Sequence, residues 1–184
     1  MDQQATPVPS VCQLTSSHDP FDTRIFHKIS RTLQDAGYDV SIVSLRGEST
    51  TRNGIEVIQV GTASSHSSKL RSFSDLYQVV LRQDPDIVQF HDPGLLPLGY
   101  AIAKRSDSAV VYDVHEPYET AFTYYSFPPD LLNPAVKRLF PRVESGFASA
   151  FDGITVATED IGTKFNERGH ERVQVVRNFP EFRI

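Results

Sequence analysis

Three short stretches carry the residues best suited to chemistry, and each directly follows a run of β-branched residues. The first is Ser16-Ser17-His18-Asp19-Pro20-Phe21-Asp22-Thr23-Arg24, the second His91-Asp92-Pro93-Gly94 and the third Asp113-Val114-His115-Glu116. The first offers hydroxyls, the free amides of a helix start and the Arg24 guanidinium, a set suited to an anionic or hydroxyl-rich ligand. It can equally be local structure, with Asp22 capping the helix and pairing with Arg24. His91 and Asp92 are polar groups at a strand end, where Pro-Gly is also an ordinary way to turn the chain. His115 lies between Asp113 and Glu116; neighbouring carboxylates favour its charged form and burial opposes it. At the mouth of a cleft it would serve as a proton carrier or a partner for a sugar hydroxyl.

Two other chemistries are tested by the same residues. His91, Asp92, Asp113, His115 and Glu116 are of types that bind zinc, manganese or iron, as a metal-dependent hydrolase would require, but no H-E-x-x-H spacing is present and the reading is of no metal. No G-x-G-x-x-G follows a strand, so the dinucleotide fingerprint is absent. Tyr112, Tyr118, Phe122, Tyr124, Tyr125 and Phe127 form an aromatic run that would line an acceptor groove or belong to a lid.

Positioning these groups requires strands that end together. Seven β-branched runs, Val11 to Thr15, Val40 to Leu45, Val57 to Val60, Ile87 to Phe90, Val110 to Tyr112, Ile154 to Ala157 and Gln174 to Val176, alternate with segments of helical spacing. That alternation predicts an α/β fold, a Rossmann-like parallel sheet of about seven strands flanked by helices. In such a sheet, ligands bind beyond the carboxyl ends of the strands.

The first helix is expected from Asp22 or Thr23, with Ile25, Phe26, Ile29, Leu33 and Ala36 as its apolar stripe and Gly37 as its stop. Asn53-Gly54 reads as a turn and Thr62 to Ser68 as a loop, with Ser72 heading a helix that ends near Gln83. Leu95, Leu98 and Ile102 mark another helix, and Thr158, Glu159 and Asp160 start a further one. Val136, Leu139, Phe140, Val143 and Phe147 have helical spacing, interrupted by Pro141, which predicts a kink or a second helix.

The 184 residues, 39% hydrophobic, suffice for one sizeable core. A formal charge of −5 argues against nucleic acid as a partner. A single cysteine, Cys12, rules out an intrachain disulfide and fits a reducing compartment. No stretch reaches the ~20 apolar residues of a membrane-spanning helix, and the start, MDQQATPVPSVCQL, lacks the pattern of a secretion signal. The expectation is a cytoplasmic protein with no integral membrane segment.

Five segments in order, HDPFDTRIFHKISRTLQDAGYDVSIVS, PDIVQFHDPGLLPLGYAIAKR, VVYDVHEPY, FDGITVATEDI and VQVVRNFP, resemble the amino-terminal, acceptor-side domain of family-4 glycosyltransferases with the GT-B fold. The resemblance runs from about Val11 to Pro180. It implies transfer of a sugar from a nucleotide donor to a glycan or lipid-linked acceptor, as in polysaccharide biosynthesis. It further implies His115 as the catalytic-cleft residue touching the transferred sugar, and His18, Phe21, Asp22, Arg24, His91, Asp92 and Glu116 as substrate-binding residues. Pro20 and Phe21 stand where many relatives carry paired glycines, so no glycine-amide contact to a diphosphate is expected.

The resemblance also divides the chain into a disordered tail over 1–10, a domain over 11–177 and the start of an interdomain linker over 178–184. It implies no cofactor beyond the nucleotide-sugar co-substrate, which the second, donor-binding domain would hold, and a partner chain supplying that domain. Relatives acting on lipid-linked acceptors imply peripheral attachment at an inner membrane face. A chain without a donor pocket is expected to be inactive alone. The competing readings are a non-catalytic glycan- or acceptor-binding module and a truncated remnant.

Overall fold

Apolar β-branched runs become strands and the segments between them become covering helices. The computed structural model describes residues 7–61, 66–115 and 133–179. Its strands, β1 (Ser10–Thr15), β2 (Asp39–Ser44), β3 (Thr50–Arg52), β4 (Ile55–Gln59), β5 (Ile87–Phe90), β6 (Ala109–Val114), β7 (Gly153–Val156) and β8 (Val173–Val175), form one sheet in the order β3-β4-β2-β1-β5-β6-β7-β8. The order and parallel pairings are those of the expected Rossmann-like α/β class. The strand beyond the seven expected is β3, antiparallel to β4 through a turn in which Asn53 (φ 52°) and Gly54 (φ 80°) are left-handed. Its three residues, Thr50, Thr51 and Arg52, are all exposed and give no apolar signal.

The chain divides into two units, Met1–Gln89 with Ser106–Ala109, and Phe90–Arg105 with Val110–Ile184. In the first, Thr23–Ser30 forms a π-helix that continues as α1 (Arg31–Asp35). Ile25 and Phe26 pack against Val40, Ile42, Ile55 and Val57, with Phe21, Leu33 and Tyr38 at the margin. The wider π winding rotates the buried face, so Arg24 and Ser30 are buried while Ala36, placed on the stripe by ordinary helical spacing, is exposed. Helix α2 (His66–Gln83) begins before Ser72, which is buried within the helix instead of capping it. Of the expected Ser-rich loop, 62–65 lie outside the described residues.

The second unit contains a 3-10 turn (Pro93–Leu95), α3 (Leu96–Arg105), α4 (Asn133–Ala148) and α5 (Glu159–Glu167). Leu95, Leu98 and Ile102 are buried as their spacing predicts. Thr158 caps α5, its hydroxyl accepting from the Ile161 amide at 3.4 Å. Helix α4 runs unbroken through Pro141, and it buries Glu144 and Ala148 while leaving Leu139 and Val143 exposed. The carboxylate turns inward because it has partners there: the Tyr112 hydroxyl donates to one Glu144 oxygen at 3.1 Å and Arg168 to the other at 3.1 Å. Strand β6 continues through Asp113 and Val114, past the expected end at Tyr112.

Candidate functional site

In the first unit, the loop leaving β1 is built by its own short polar side chains. The Thr15 hydroxyl accepts from the His18 amide at 3.2 Å, and the Asp19 side chain from the Phe21 amide at 2.8 Å. Asp22 then caps the π-helix, one oxygen accepting from the amides of Arg24 at 2.7 Å and Ile25 at 3.3 Å. Phe21 is half-buried, edge-on to Phe26 with ring centroids 5.0 Å apart, and the Arg52 guanidinium lies 5.0 Å from its centroid. Pro20 is buried so close to Gly47 that a Cβ there would lie 2.7 Å from the Pro20 ring. Packing thus holds Pro20 and Phe21 in the loop. Arg24 is 4% exposed, and His18 and Asp22 are half-buried.

In the second unit, the groups meet beyond β5 and along the end of β6. His91 Nδ1 lies 3.0 Å from Asp113 Oδ2, and both side chains are fully buried. The Thr155 hydroxyl of β7 donates to Asp113 Oδ1 at 2.6 Å. His115, half-buried, has its ring centroid 6.3 Å from that of His91, with the planes 51° apart. Potential ligating atoms of His91, Asp113 and His115 lie within 4.8 Å of one another. The Asp113 carboxylate, however, already engages His91 and Thr155. Asp92 is 2% exposed; its backbone carbonyl accepts from Leu95 at 2.9 Å, closing the turn that starts α3.

Glu116 and the aromatic residues Tyr118, Phe122, Tyr124, Tyr125 and Phe127 lie outside the described residues. Tyr112 belongs to the core and not to a groove: it is fully buried and stacks on Phe90 at 4.8 Å between centroids. Its place in the strand interior, with a hydroxyl partner in Glu144, accounts for the burial. A groove of about 590 Å³ beside α5 and β8, with Glu159, Asn166, Gln174 and Arg177 in its wall, contains none of the candidate residues. Thr155 was not apparent from sequence because only the register of β6 against β7 reveals it, and Asp113 as the partner of His91 is a contact made 22 residues apart. Asp113 and Thr155 are direct cross-strand partners in that register.

Comparison with known proteins brings a family match: the glycosyl transferase 4-like domain matches residues 23–178. No curated protein matches by sequence. Among solved structures, sucrose-phosphate synthase from Thermosynechococcus elongatus superposes with a TM-score of 0.66 at 9% identity, over 92% of this chain and 47% of that one. An α,α-trehalose-phosphate synthase (UDP-forming) from Burkholderia vietnamiensis gives 0.63 at 13% identity, over 92% and 47%. Anabaena HepE, solved with UDP-glucose, gives 0.60 at 15% identity, over 92% and 43%. The chain spans about half the length of these structures.

Proposed function

The chain belongs to the glycosyl transferase 4-like family, and on that footing we propose that it serves the acceptor side of a sugar transfer from a nucleotide sugar to a glycan or lipid-linked acceptor. The observation that carries this reading is the family match over 23–178 together with a histidine, His115, beyond the carboxyl end of β6. Of the similar proteins, Anabaena HepE was solved with UDP-glucose and the trehalose-phosphate synthase is UDP-forming. In the proposed reaction, the bond from the sugar anomeric carbon to the donor phosphate breaks, the acceptor oxygen bonds to that carbon, the acceptor proton leaves and the nucleoside diphosphate departs.

His115 is assigned to contact the transferred sugar, by hydrogen bond or proton transfer. His18, Phe21, Asp22 and Arg24 in the first unit, and Asp92 and Glu116 in the second, are assigned to substrate binding. His91 is assigned with them; its ring is fully buried, with its centroid 6.3 Å from that of His115. No resident cofactor is assigned; the nucleotide sugar is a co-substrate, and a donor-binding partner chain completes the enzyme. Among the described residues no helix is long and apolar enough to cross a membrane. With a lipid-linked acceptor, the reading includes peripheral attachment at a membrane face.

The test is to co-express the chain with candidate donor-binding chains and measure transfer from labelled UDP-sugars. The expected result is transfer that needs both chains and is lost in His115→Ala. Absence of transfer with every candidate, together with no heat on calorimetric titration of glycan and lipid-linked acceptors, overturns the reading. Saturable heat without turnover would instead mark a non-catalytic acceptor-binding module.

A further inference from the structure

Asp113 of β6 stands between Thr155 of β7 and His91, the residue that follows β5. It faces Thr155 in the β6–β7 register, takes that hydroxyl on Oδ1 at 2.6 Å and approaches His91 Nδ1 with Oδ2 at 3.0 Å. A fully buried carboxylate is costly unless its oxygens are satisfied, and here each has a partner. An ionised carboxylate only accepts, so with Asp113 ionised the proton between Oδ2 and Nδ1 is the one carried by His91. That fixes both the orientation and the tautomer of the His91 ring. His115 follows Asp113 by two residues, just beyond the end of β6. Its ring stands 6.3 Å from the ring of His91, and the potential ligating atoms of all three residues lie within 4.8 Å of one another.

We infer that Asp113 is a positioning residue for His115, acting through His91 and held in turn by Thr155. This rests on the role proposed above for His115. Asp113 and His91 are both fully buried; together they form the fixed wall against which the His115 ring is set. The arrangement follows the general rule that a group working in a site is oriented by buried partners behind it.

The tautomers can be read in the chain itself, without turnover, by long-range proton–nitrogen NMR of the imidazole rings. The wild type is expected to show His91 with its proton on Nδ1. Asp113→Asn presents an amide donor to one of its two neighbours, and the expected result is a change of His91 tautomer or averaging of its ring signals, accompanied by displaced His115 ring signals. Thr155→Val should displace the same signals, and Thr155→Ser, which keeps the hydroxyl, should restore them. Circular dichroism identifies any variant that fails to fold, in which case the Thr155 pair decides. A wild-type His91 protonated on Nε2 alone, or His115 signals unmoved in every folded variant, overturns the inference.

In the reconstituted enzyme, Asp113→Asn is expected to lower kcat about ten- to a hundredfold with little change in KM. An unchanged kcat in a folded variant also overturns the positioning role. If His115→Ala leaves transfer intact, the functional assignment of the site falls, while the NMR result still decides whether the three residues are coupled.

Discussion

Gly99 of α3 sits so close to Phe90 that a Cβ added to it would lie 2.6 Å from Phe90 Cε1 and 3.0 Å from Cζ. The ring has no room to retreat, because it stacks on Tyr112 at 4.8 Å and meets Phe151 edge-on at 5.2 Å. Alanine in a helix is worth about 0.5–1 kcal/mol over glycine, whereas overpacking a filled core costs about 1–3 kcal/mol. Gly99→Ala is therefore expected to lose about 1–2 kcal/mol of stability on urea unfolding. A variant as stable as the parent would show that α3 shifts freely.

Cys12 is fully buried in β1, and burial pushes its thiol up to about 12, with the Ser41 hydroxyl opposing the shift. The thiolate is the reactive form, so the folded chain is expected to resist a disulfide reagent at pH 8 and to react once unfolded in urea. Stoichiometric labelling of the folded chain within minutes would contradict this burial.

The strands were legible because long apolar runs have few alternatives in water, and the ligand edge followed from where those runs stop. What escaped had local causes. Thr50, Thr51 and Arg52 form a strand with no buried side chain, so pairing with β4 rather than composition makes it. The inward face of α4 does not follow from apolar spacing, because Glu144 turns inward to partners far along the chain, Tyr112 and Arg168. The same long-range pairing hid Asp113, whose acidity suggested a loop although Thr155 and His91 satisfy it within the strand.

Asp22 allows its capping and ligand roles to be separated. Asp22→Ala removes the acceptor for the Arg24 and Ile25 amides and is expected to cost about 1 kcal/mol. Asp22→Asn keeps a capping oxygen and removes the charge, so stability should hold. Loss of acceptor or donor binding in the asparagine variant would assign the carboxylate a ligand. Unchanged binding would leave it a cap.

His170 should make stability fall on mild acidification. Its pKa is lowered from the ordinary 6.5, first by burial and then by the Arg168 charge, and its Nε2 lies 2.8 Å from the Ser145 hydroxyl. The unfolded chain therefore takes up the proton first, and the contribution present above 6.5 is lost as pH falls through the folded value. Asp86, lowered from 3.8 by hydrogen bonds from Ser10, adds a loss in the same direction only in stronger acid. Urea midpoints measured from pH 7.5 to 5 should decline in the parent and flatten in His170→Gln. Identical slopes would remove His170 from the account.

Glu144 offers the sharpest test of how the second unit is held together. Its side chain is 6% exposed and faces Arg168, itself 24% exposed, while the Tyr112 hydroxyl satisfies the other oxygen. Arg168→Met keeps much of the packing over Phe165 but removes a cation from a buried carboxylate, and breaking such pairs costs about 3–5 kcal/mol. Partial exposure of the arginine lowers the expected loss to about 2–3 kcal/mol. Tyr112→Phe deletes one neutral donor and should cost about 1–2 kcal/mol. Combining Arg168→Met with Glu144→Gln removes the stranded charge, so the double variant should be more stable than Arg168→Met alone. Urea unfolding of the single and double variants measures this coupling. Strict additivity would mean that Glu144 and Arg168 act independently.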